Sequence, residues 1–455
     1  MEMVLEFLRD VLSQPALLIG IMSCIGLIAL KRPFHKVMTG TLKPILGYLM
    51  LAAGAGVIVN NLDPLGKMIE HGFHITGVVP NNEAIVAVAQ KVLGVETMSI
   101  LVVGLLMNLC IARFTKFKYV FLTGHHSLFM ACLMSAVLGT AGLSGMELIL
   151  VGGFLMGAWS AISPAIGQSY TSKVTDGDEI ALGHFGSLGY YLSAWVAKYV
   201  GKAEDSTEDI EIPEKWGFLR DSTLSTALTM IVFYLIAALA AGSEFVATLS
   251  GSMSPYLFAV MSAMNFAVGV AIVYSGVRMI LGDLIPAFQG IATKIIPNAI
   301  PAVDCAVFFT YAPTAVVLGF ISSFIGGIIG MLILGAVGGV LIIPGLVPHF
   351  FCGATAGIYG NATGGRRGAA VGAFLNGLAI TFLPALALPV LGQLGFQNTT
   401  FGDADFAVMG LVLGHAFEWI GMAGIYGIVA IAALVLIIPN FIKTKGKVIN
   451  YVEEE

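Results

Sequence analysis

The residues of this chain with the clearest chemical potential are ionisable side chains inside long apolar segments. Asp304 follows the apolar run 299–303 and has no basic residue close to it in sequence, and His125 and His184 each follow a glycine. An ionisable group in apolar surroundings costs free energy, so each is a candidate functional residue. A carboxylate accepts hydrogen bonds from hydroxyl groups, and a neutral imidazole offers one donor and one acceptor. Together they favour the binding of a small polar solute.

Each of these side chains also has a structural interpretation. A carboxylate such as Asp304 can cap the N-terminus of a short helix. His349 and His415, in comparable surroundings, are interpreted mainly as packing residues or partners in hydrogen bonds between helices. His126 is predicted to face away from the neighbouring histidine, on the helix surface. His415 and Glu418 would share a helix face, but two such residues are weak evidence for a metal; no metal site or cofactor is predicted.

Three further places are candidates for solute contact. The segment Gly54-Ala55-Gly56 would let a ligand approach the backbone, although helix packing explains it equally well. Asn82 and Glu83 open an apolar segment, either as helix caps or as ligand contacts. Asp283 and Gln289 are placed, as a weaker expectation, beside the same cavity.

The composition predicts a membrane protein. Of the 455 residues 57% are hydrophobic and only 11% are charged, and the mean hydropathy is +0.92. No soluble fold hides so much apolar surface, so we expect many crossings of a lipid bilayer, about 10 to 12, and no nucleic-acid partner. The five cysteines form no CxxC pair and are interpreted as small buried residues, not as disulfides or metal ligands. Apolar segments run near 14–30, 44–60, 95–112, 127–143, 145–165, 223–247, 255–275, 314–343, 368–392 and 421–441.

Basic residues predict the topology. No signal peptide is evident at the start, so the first apolar run is interpreted as a retained helix. Three basic clusters follow the first, third and last spans, and the positive-inside rule places all of them in the cytoplasm. The N-terminus is therefore expected outside, the C-terminus in the cytoplasm, and the number of crossings odd. The clusters are Lys31, Arg32 and Lys36; Arg113, Lys116 and Lys118; and Lys443, Lys445 and Lys447.

Short sequence echoes suggest an internal duplication. Leu182-Gly183-His184 returns as Leu413-Gly414-His415, the segment 43–47 resembles 278–282, and His125 has a looser counterpart in His349. Duplicated membrane halves are typical of secondary transporters, with the site at the interface between repeats. Whether the halves are inverted or parallel stays open. The predicted division is a first repeat at 1–201, a hydrophilic cytoplasmic connector at 202–222, linking helices at 223–275, a second repeat at 276–442 and a cytoplasmic tail at 443–455.

Glycine and proline predict interruptions of the membrane helices. Pro344, Gly345 and Pro348 prevent a regular helix across 343–349, and the region 314–343 holds either one long helix or two shorter ones. Broken backbone at membrane depth is tolerated only where it is buried in protein or lines a cavity. The short segments 183–200 and 406–420 are predicted to form re-entrant hairpins.

Several strings, taken together, resemble the membrane (IIC) component of the ascorbate-type phosphotransferase system. The resemblance extends in order over nearly the whole chain. It implies an all-α protomer of about eleven transmembrane helices, with a substrate-binding core domain, a dimerisation domain, a homodimeric assembly and an elevator-like movement of the core. The strings are Leu122-Thr123-Gly124-His125, Val174-Thr175-Asp176-Gly177-Asp178 with Gly183-His184, Pro301-Ala302-Val303-Asp304-Cys305-Ala306, Tyr311-Ala312-Pro313 and Leu341-Ile342-Ile343-Pro344-Gly345-Leu346-Val347-Pro348.

The same resemblance assigns the solute site. The ligand histidines of the family match His125 and His184, its ligand aspartate matches Asp304, and its small-residue segment matches Gly54 to Gly56. Other contact positions depart from the family pattern. Two glutamines of the family are replaced by Phe129 and Phe185, and a Thr-Tyr pair by Asn82 and Glu83. Loss of two amides removes partners for a polyhydroxylated solute, although the two phenylalanines are also suited to stacking on a ring.

The leading hypothesis is a permease (EIIC) of a phosphoenolpyruvate-dependent sugar phosphotransferase system in the bacterial cell (inner) membrane. It would take up L-ascorbate or a similar carbohydrate-like solute, and a separate IIB protein would phosphorylate the solute at the cytoplasmic face. No soluble catalytic domain fits in the chain, which agrees with this division. The alternative is an ion-coupled secondary transporter that uses Asp304 and the histidines as a proton relay. A membrane-embedded hydrolase is disfavoured because neither H-E-x-x-H nor G-x-S-x-G is present.

Overall fold

The computed structural model describes residues 10–11, 14–74, 77–78, 80, 82–177, 179–210, 222–392 and 400–441; within its helices some side chains, including those of 83–94, lie outside the description. The described part is dominated by helices. They are α1 (Pro15–Ala29), α2 (Phe34–Phe73), α3 (Asn82–Phe114), α4 (Gly124–Thr140), α5 (Gly145–Thr175), α6 (Ser187–Val200), α7 (Ser222–Ala241), α8 (Ser243–Ser250), α9 (Pro255–Lys294), α10 (Pro313–Ala336), α11 (Leu346–Gly392), α12 (Ala404–Ile420) and α13 (Met422–Phe441).

The helices confirm a polytopic membrane protein. Seven in the described part are long and apolar enough to cross a bilayer, and an eighth span is counted if α7 and α8, bent by 117° at Gly242, are taken as one. The count of about eleven crossings stays a prediction. The described helices carry large apolar side chains on exposed faces, such as Leu239 and Ile431, as expected for surfaces that contact lipid.

The helices are interrupted at or near glycine and proline residues. The region 314–343 contains a single helix, α10, which ends at Ala336, and residues 337–345 contain no further helix. Helix α11 has non-helical backbone at Gly364 and Gly365, where φ of Gly365 is +58°, so it consists of two helical segments. The segments predicted as re-entrant hairpins each contain one short helix, α6 or α12, instead of a hairpin.

The helices form two bundles that each pack mainly within themselves. The first bundle contains α1, α2, α7, α8 and α9, and the second contains α3 to α6 and α10 to α13. Both bundles combine helices from the two predicted repeats, whose boundaries stay predictions. The bundles meet where α7 contacts α10, α2 contacts α11 and α1 contacts α4, and where α9 contacts the segment 300–310.

Within the first bundle, α2 and α9 pack closely as antiparallel partners. A Cβ added to Gly47 would meet the backbone of Gly276, and one added to Gly54 would meet the backbone of Gly269. Only small residues allow such close helix contact. The echoed segments 43–47 and 278–282 therefore lie on neighbouring helices, joined also by Lys43 and Asp283 at 3.6 Å.

A small parallel sheet, which the sequence did not predict, lies in the second bundle. Its strands are β1 (Tyr119–Phe121), β2 (Ala181–Leu182) and β3 (Ile300–Val303), with β3 in the centre. The backbone N–H of Leu122 donates to the carbonyl of Ala302 at 2.9 Å, and that of Gly183 donates to Val303 at 2.7 Å. Since the strands are parallel, their carboxyl ends lie at one edge.

Candidate solute-binding site

The carboxyl-terminal edge of the sheet brings three predicted site residues together. His125 lies four residues after β1, His184 two residues after β2, and Asp304 directly after β3. All three line one cavity of about 1380 Å³ between the two bundles. Helices α2 and α7 of the first bundle and α10 of the second supply most of its apolar wall. Six polar residues of the lining are linked by close contacts, and the part of the cavity that they form is called its deep end: Asn82, His125, His126, His184, Asp304 and Asp403.

The two carboxylate oxygens of Asp304 have different partners. Its Oδ1 accepts a hydrogen bond from the backbone N–H of Ala306 at 3.0 Å and so caps the 3-10 helix Cys305–Thr310. Its Oδ2 lies 3.5 Å from Nε2 of His125. The residue is 7% exposed and lines the cavity, so a buried carboxylate with one capping oxygen lies beside the His125 ring.

His125 links the two bundles at the site. It is the second residue of α4 in the second bundle, and its Nδ1 lies 3.4 Å from the hydroxyl oxygen of Tyr48 on α2 of the first bundle. The ring is half-buried. It is therefore positioned between a fixed carboxylate and a side chain of the opposite bundle.

His184 is fixed by its own turn. The backbone N–H of Gly186 donates to its Nδ1 at 3.1 Å, and the Tyr190 hydroxyl donates to the same nitrogen at 2.9 Å. The preceding residue must be glycine, because a Cβ at Gly183 would overlap the carbonyl group of Ala302 in β3. A larger side chain there would separate β2 from β3 and move His184 away from Asp304.

A second buried carboxylate, Asp403, completes the deep end of the cavity. Its Oδ2 accepts a hydrogen bond from Nδ2 of Asn82 at 2.6 Å, and its Oδ1 accepts one from Sγ of Cys352 at 3.0 Å. The Asn82 Oδ1 in turn accepts from the N–H of Gly402 at 2.9 Å. Asn82 therefore joins α3 to the segment before α12. Sequence reasoning missed Asp403; the available signal was a pair of acidic residues, Asp403 and Asp405, at the start of an apolar helix.

Comparison with a protein-family model identifies the family of this chain. The family of PTS system sugar-specific permease components, EIIC-GAT, matches residues 10–405. The chain belongs to this permease family. It is also 27% identical over 417 residues to the ascorbate-specific PTS system EIIC component of Mycoplasma pneumoniae (strain ATCC 29342 / M129 / Subtype 1), a match that covers 78% of this chain and 62% of that protein. The permease thus spans less than two thirds of the length of this relative.

His126 of the permease does not lie on the helix surface, contrary to the prediction. It is 3% exposed, lines the cavity, and its ring centroid is 3.8 Å from that of His184. Its Nδ1 accepts a hydrogen bond from the N–H of Phe185 at 3.3 Å. The prediction was wrong because almost every side of this part of α4 is covered by protein, so two consecutive residues are both enclosed.

The two phenylalanines at the positions of family glutamines have different surroundings. Phe129 lines the cavity, and its ring centroid is 5.8 Å from that of His125. Phe185 is fully buried and stacks on Phe121 of β1 at 4.6 Å, outside the cavity lining. Of the two, only Phe129 is placed to contact a solute in this conformation.

The other predicted residues are distributed unevenly around the cavity. Within the segment 54–56, Ala55 lines the cavity, Gly54 packs on α9, and Gly56 is exposed with no heavy atom near its added Cβ. Asp283 pairs with Lys43 and is absent from the described cavity lining. Glu83 and Gln289 lie in α3 and α9, but their side chains are outside the described part.

The remaining two histidines of the predicted set have structural roles. His349 is buried, and its Nδ1 lies 2.9 Å from the hydroxyl oxygen of Ser323. His415 is on the exposed side of α12, where its Nδ1 lies 2.8 Å from Glu418 and its ring stacks on Trp419. Neither is part of the described cavity lining. The burial of His349 and its contact with another helix agree with its interpretation as a packing or hydrogen-bonding residue, whereas the exposed His415 pairs within its own helix and does not.

Proposed function

We propose that the permease takes up L-ascorbate or a closely similar small carbohydrate-like solute, which a separate IIB protein phosphorylates at the cytoplasmic face. The observation that carries this proposal is the convergence of His125, His184 and Asp304 at one edge of the sheet, inside a cavity between two bundles. The name of the M. pneumoniae relative supports ascorbate as the first solute to test. The proposed location is a bacterial cytoplasmic membrane, with the N-terminus outside and the C-terminus in the cytoplasm.

The chemistry of the site suits a polyhydroxylated solute. Asp304 and Asp403 supply carboxylate acceptors, and His125 and His184 supply imidazole groups. Nδ1 of His184 already accepts from the backbone N–H of Gly186, so this ring can offer only its Nε2 to the solute. Apolar side chains such as Leu51 and Phe129 line the adjoining wall. A few polar groups at the end of a mainly apolar cavity are typical of small-molecule sites. Phosphoryl transfer is left to the separate IIB protein.

We further propose an elevator mechanism, which the division into two bundles supports, within the homodimer that the family resemblance implies. In this proposal the first bundle forms the stationary, dimer-forming part, and the second bundle carries the solute. Each bundle packs mainly within itself, and the cavity lies between them. The contact between Tyr48 and His125 would then be broken and remade during each cycle.

Uptake into membrane vesicles tests the proposed function. Vesicles containing the permease, with the soluble phosphocarrier proteins and phosphoenolpyruvate inside, are expected to accumulate labelled ascorbate as a phosphate ester. Omission of IIB should abolish this accumulation. Uptake of unmodified ascorbate driven by a proton gradient alone would instead establish the ion-coupled alternative, which is favoured by the two buried carboxylates and the histidines that share the cavity.

Replacement of Phe129 by glutamine should strengthen ascorbate binding. The amide would offer a donor and an acceptor to solute hydroxyl groups that otherwise face a phenyl ring, and one net hydrogen bond lowers Kd by about threefold to tenfold. Calorimetry on detergent-purified protein measures the change.

The matched control is Phe185→Gln, which introduces the same amide outside the cavity lining. This variant should bind ascorbate no more tightly than the wild type does. Its melting temperature should be lower, because a buried ring is lost and the new amide is buried without a hydrogen-bond partner provided for it. An unchanged Kd in Phe129→Gln would show that residue 129 does not face the solute. A gain in Phe185→Gln would show that this side chain enters the site in another conformation.

A further inference from the structure

We infer that His126 is a solute-binding residue, and that His126 and His184 together present Nε2–H groups as donors to an oxygen atom of the solute. Nothing in the sequence resemblance assigns His126 a role. The inference rests on the proposed function and deepens it by specifying which part of the solute this pair of rings recognises.

The backbone fixes the tautomer of both rings. The N–H of Phe185 donates to Nδ1 of His126 at 3.3 Å, and the N–H of Gly186 donates to Nδ1 of His184 at 3.1 Å. A backbone N–H can only donate, so each Nδ1 must carry a lone pair instead of a hydrogen. In a neutral imidazole the hydrogen then lies on Nε2.

Neither Nε2–H group makes a hydrogen bond within the described part of the protein. Each ring is almost fully buried and lines the cavity, and the hydrogen bonds described for both rings involve only Nδ1. A buried donor without a partner costs about 1 to 3 kcal/mol, so a ligand that supplies an acceptor is favoured. A hydroxyl, carbonyl or ionised enol oxygen of a carbohydrate-like solute has the required chemistry.

A bound cation is the competing occupant. His126, His184 and Asp403 lie close enough to hold a metal ion. A histidine ligand normally donates its other ring N–H to a nearby acceptor. Nδ1 of His126 instead faces a backbone donor, so ligation through Nε2 would place a hydrogen against that N–H group. Nδ1 of His184 lies 3.8 Å from an oxygen of Asp403 in addition to its backbone donor. The fixed tautomer of His126 therefore favours a solute acceptor over a metal.

Two substitutions separate a solute contact from a structural one. In His126→Asn, the side-chain oxygen can replace Nδ1 as the acceptor for Phe185, but the donor at the Nε2 position is lost. In His126→Gln, the amide nitrogen can replace the Nε2 donor, but the acceptor for Phe185 is lost. We expect His126→Asn to raise the Kd for L-ascorbate by about tenfold or more, and His126→Gln to remain within about threefold of wild type.

Calorimetry measures the Kd of each variant for L-ascorbate, and thermal unfolding shows whether the variant is folded. Together they test the inference. Tighter binding by His126→Gln than by His126→Asn supports the inference. The reverse order, or wild-type affinity in His126→Asn, overturns it while leaving the proposed function intact. Absence of ascorbate binding by the wild-type protein would overturn both. Nitrogen-15 NMR of histidine-labelled protein is an independent check: protonation of the neutral His126 ring at Nδ1 would also overturn the inference.

Discussion

Replacement of Asp304 by asparagine is expected to raise the Kd for L-ascorbate by about 100-fold, or ~2.7 kcal/mol. Asparagine keeps an oxygen that can accept from the N–H of Ala306, so the cap of the 3-10 helix is retained. The second oxygen, 3.5 Å from His125, is replaced by an amide NH2 group. This group cannot accept a hydrogen bond from the imidazole N–H or from a solute hydroxyl. Calorimetry on detergent-purified protein measures the loss of affinity.

The matched control is Asp283→Asn, which removes a membrane-segment carboxylate outside the described cavity lining. It should bind ascorbate as the wild type does. Both variants should unfold at temperatures close to that of the wild type, since neither loses packing volume. Wild-type affinity in Asp304→Asn would show that this carboxylate does not receive the solute, and the position of the proposed site would then be wrong.

The sequence was sufficient to single out three of the polar residues that line the cavity. Asp304, His125 and His184 stand out because ionisable groups are costly in apolar surroundings, and the structure places all three in one cavity. Their juxtaposition depends on strands of two to four residues, which are too short to produce a periodic pattern. Pro301 even argues against a central strand, since it cannot donate to the ladder.

The side chains that were missed depend on tertiary surroundings. His126 follows another histidine on a helix, so alternation of faces predicted an exposed ring; burial of nearly every side of α4 determines the outcome instead. Asp403 precedes its helix, and only the fold brings it within hydrogen-bonding distance of Asn82, which is 321 residues away in sequence. Neither relation can be read from local spacing.

The two members of a sequence echo do not always share their surroundings, and the duplication that the echoes suggest stays a prediction. The pair 43–47 and 278–282 lies on two helices that do pack together, through glycines in close backbone contact. The pair His184 and His415 has no such common role, because one ring is enclosed in the cavity and the other is exposed beside Glu418. A histidine in an apolar segment therefore needs its three-dimensional neighbours before a function can be assigned.

A covalent link between the two bundles should stop transport while leaving solute binding intact. Phe233 on α7 and Phe320 on α10 belong to different bundles, and their ring centroids are 6.3 Å apart. Cysteines at both positions can be joined by a short bis-maleimide, in a background where Cys24 and Cys110, which are not buried, are replaced by serine. If the second bundle must move past the first to carry the solute, the link should reduce vesicle uptake at least tenfold.

The single-cysteine variants, treated with the same reagent, serve as controls because they lose a ring without gaining a link. They should retain most of their uptake. The linked protein should bind ascorbate with nearly wild-type affinity, since neither position lies at the deep end of the cavity. Mass spectrometry confirms that the link has formed. Undiminished uptake by fully linked protein would exclude movement between the bundles, and the solute would then have to cross through a path opened within a fixed arrangement of helices.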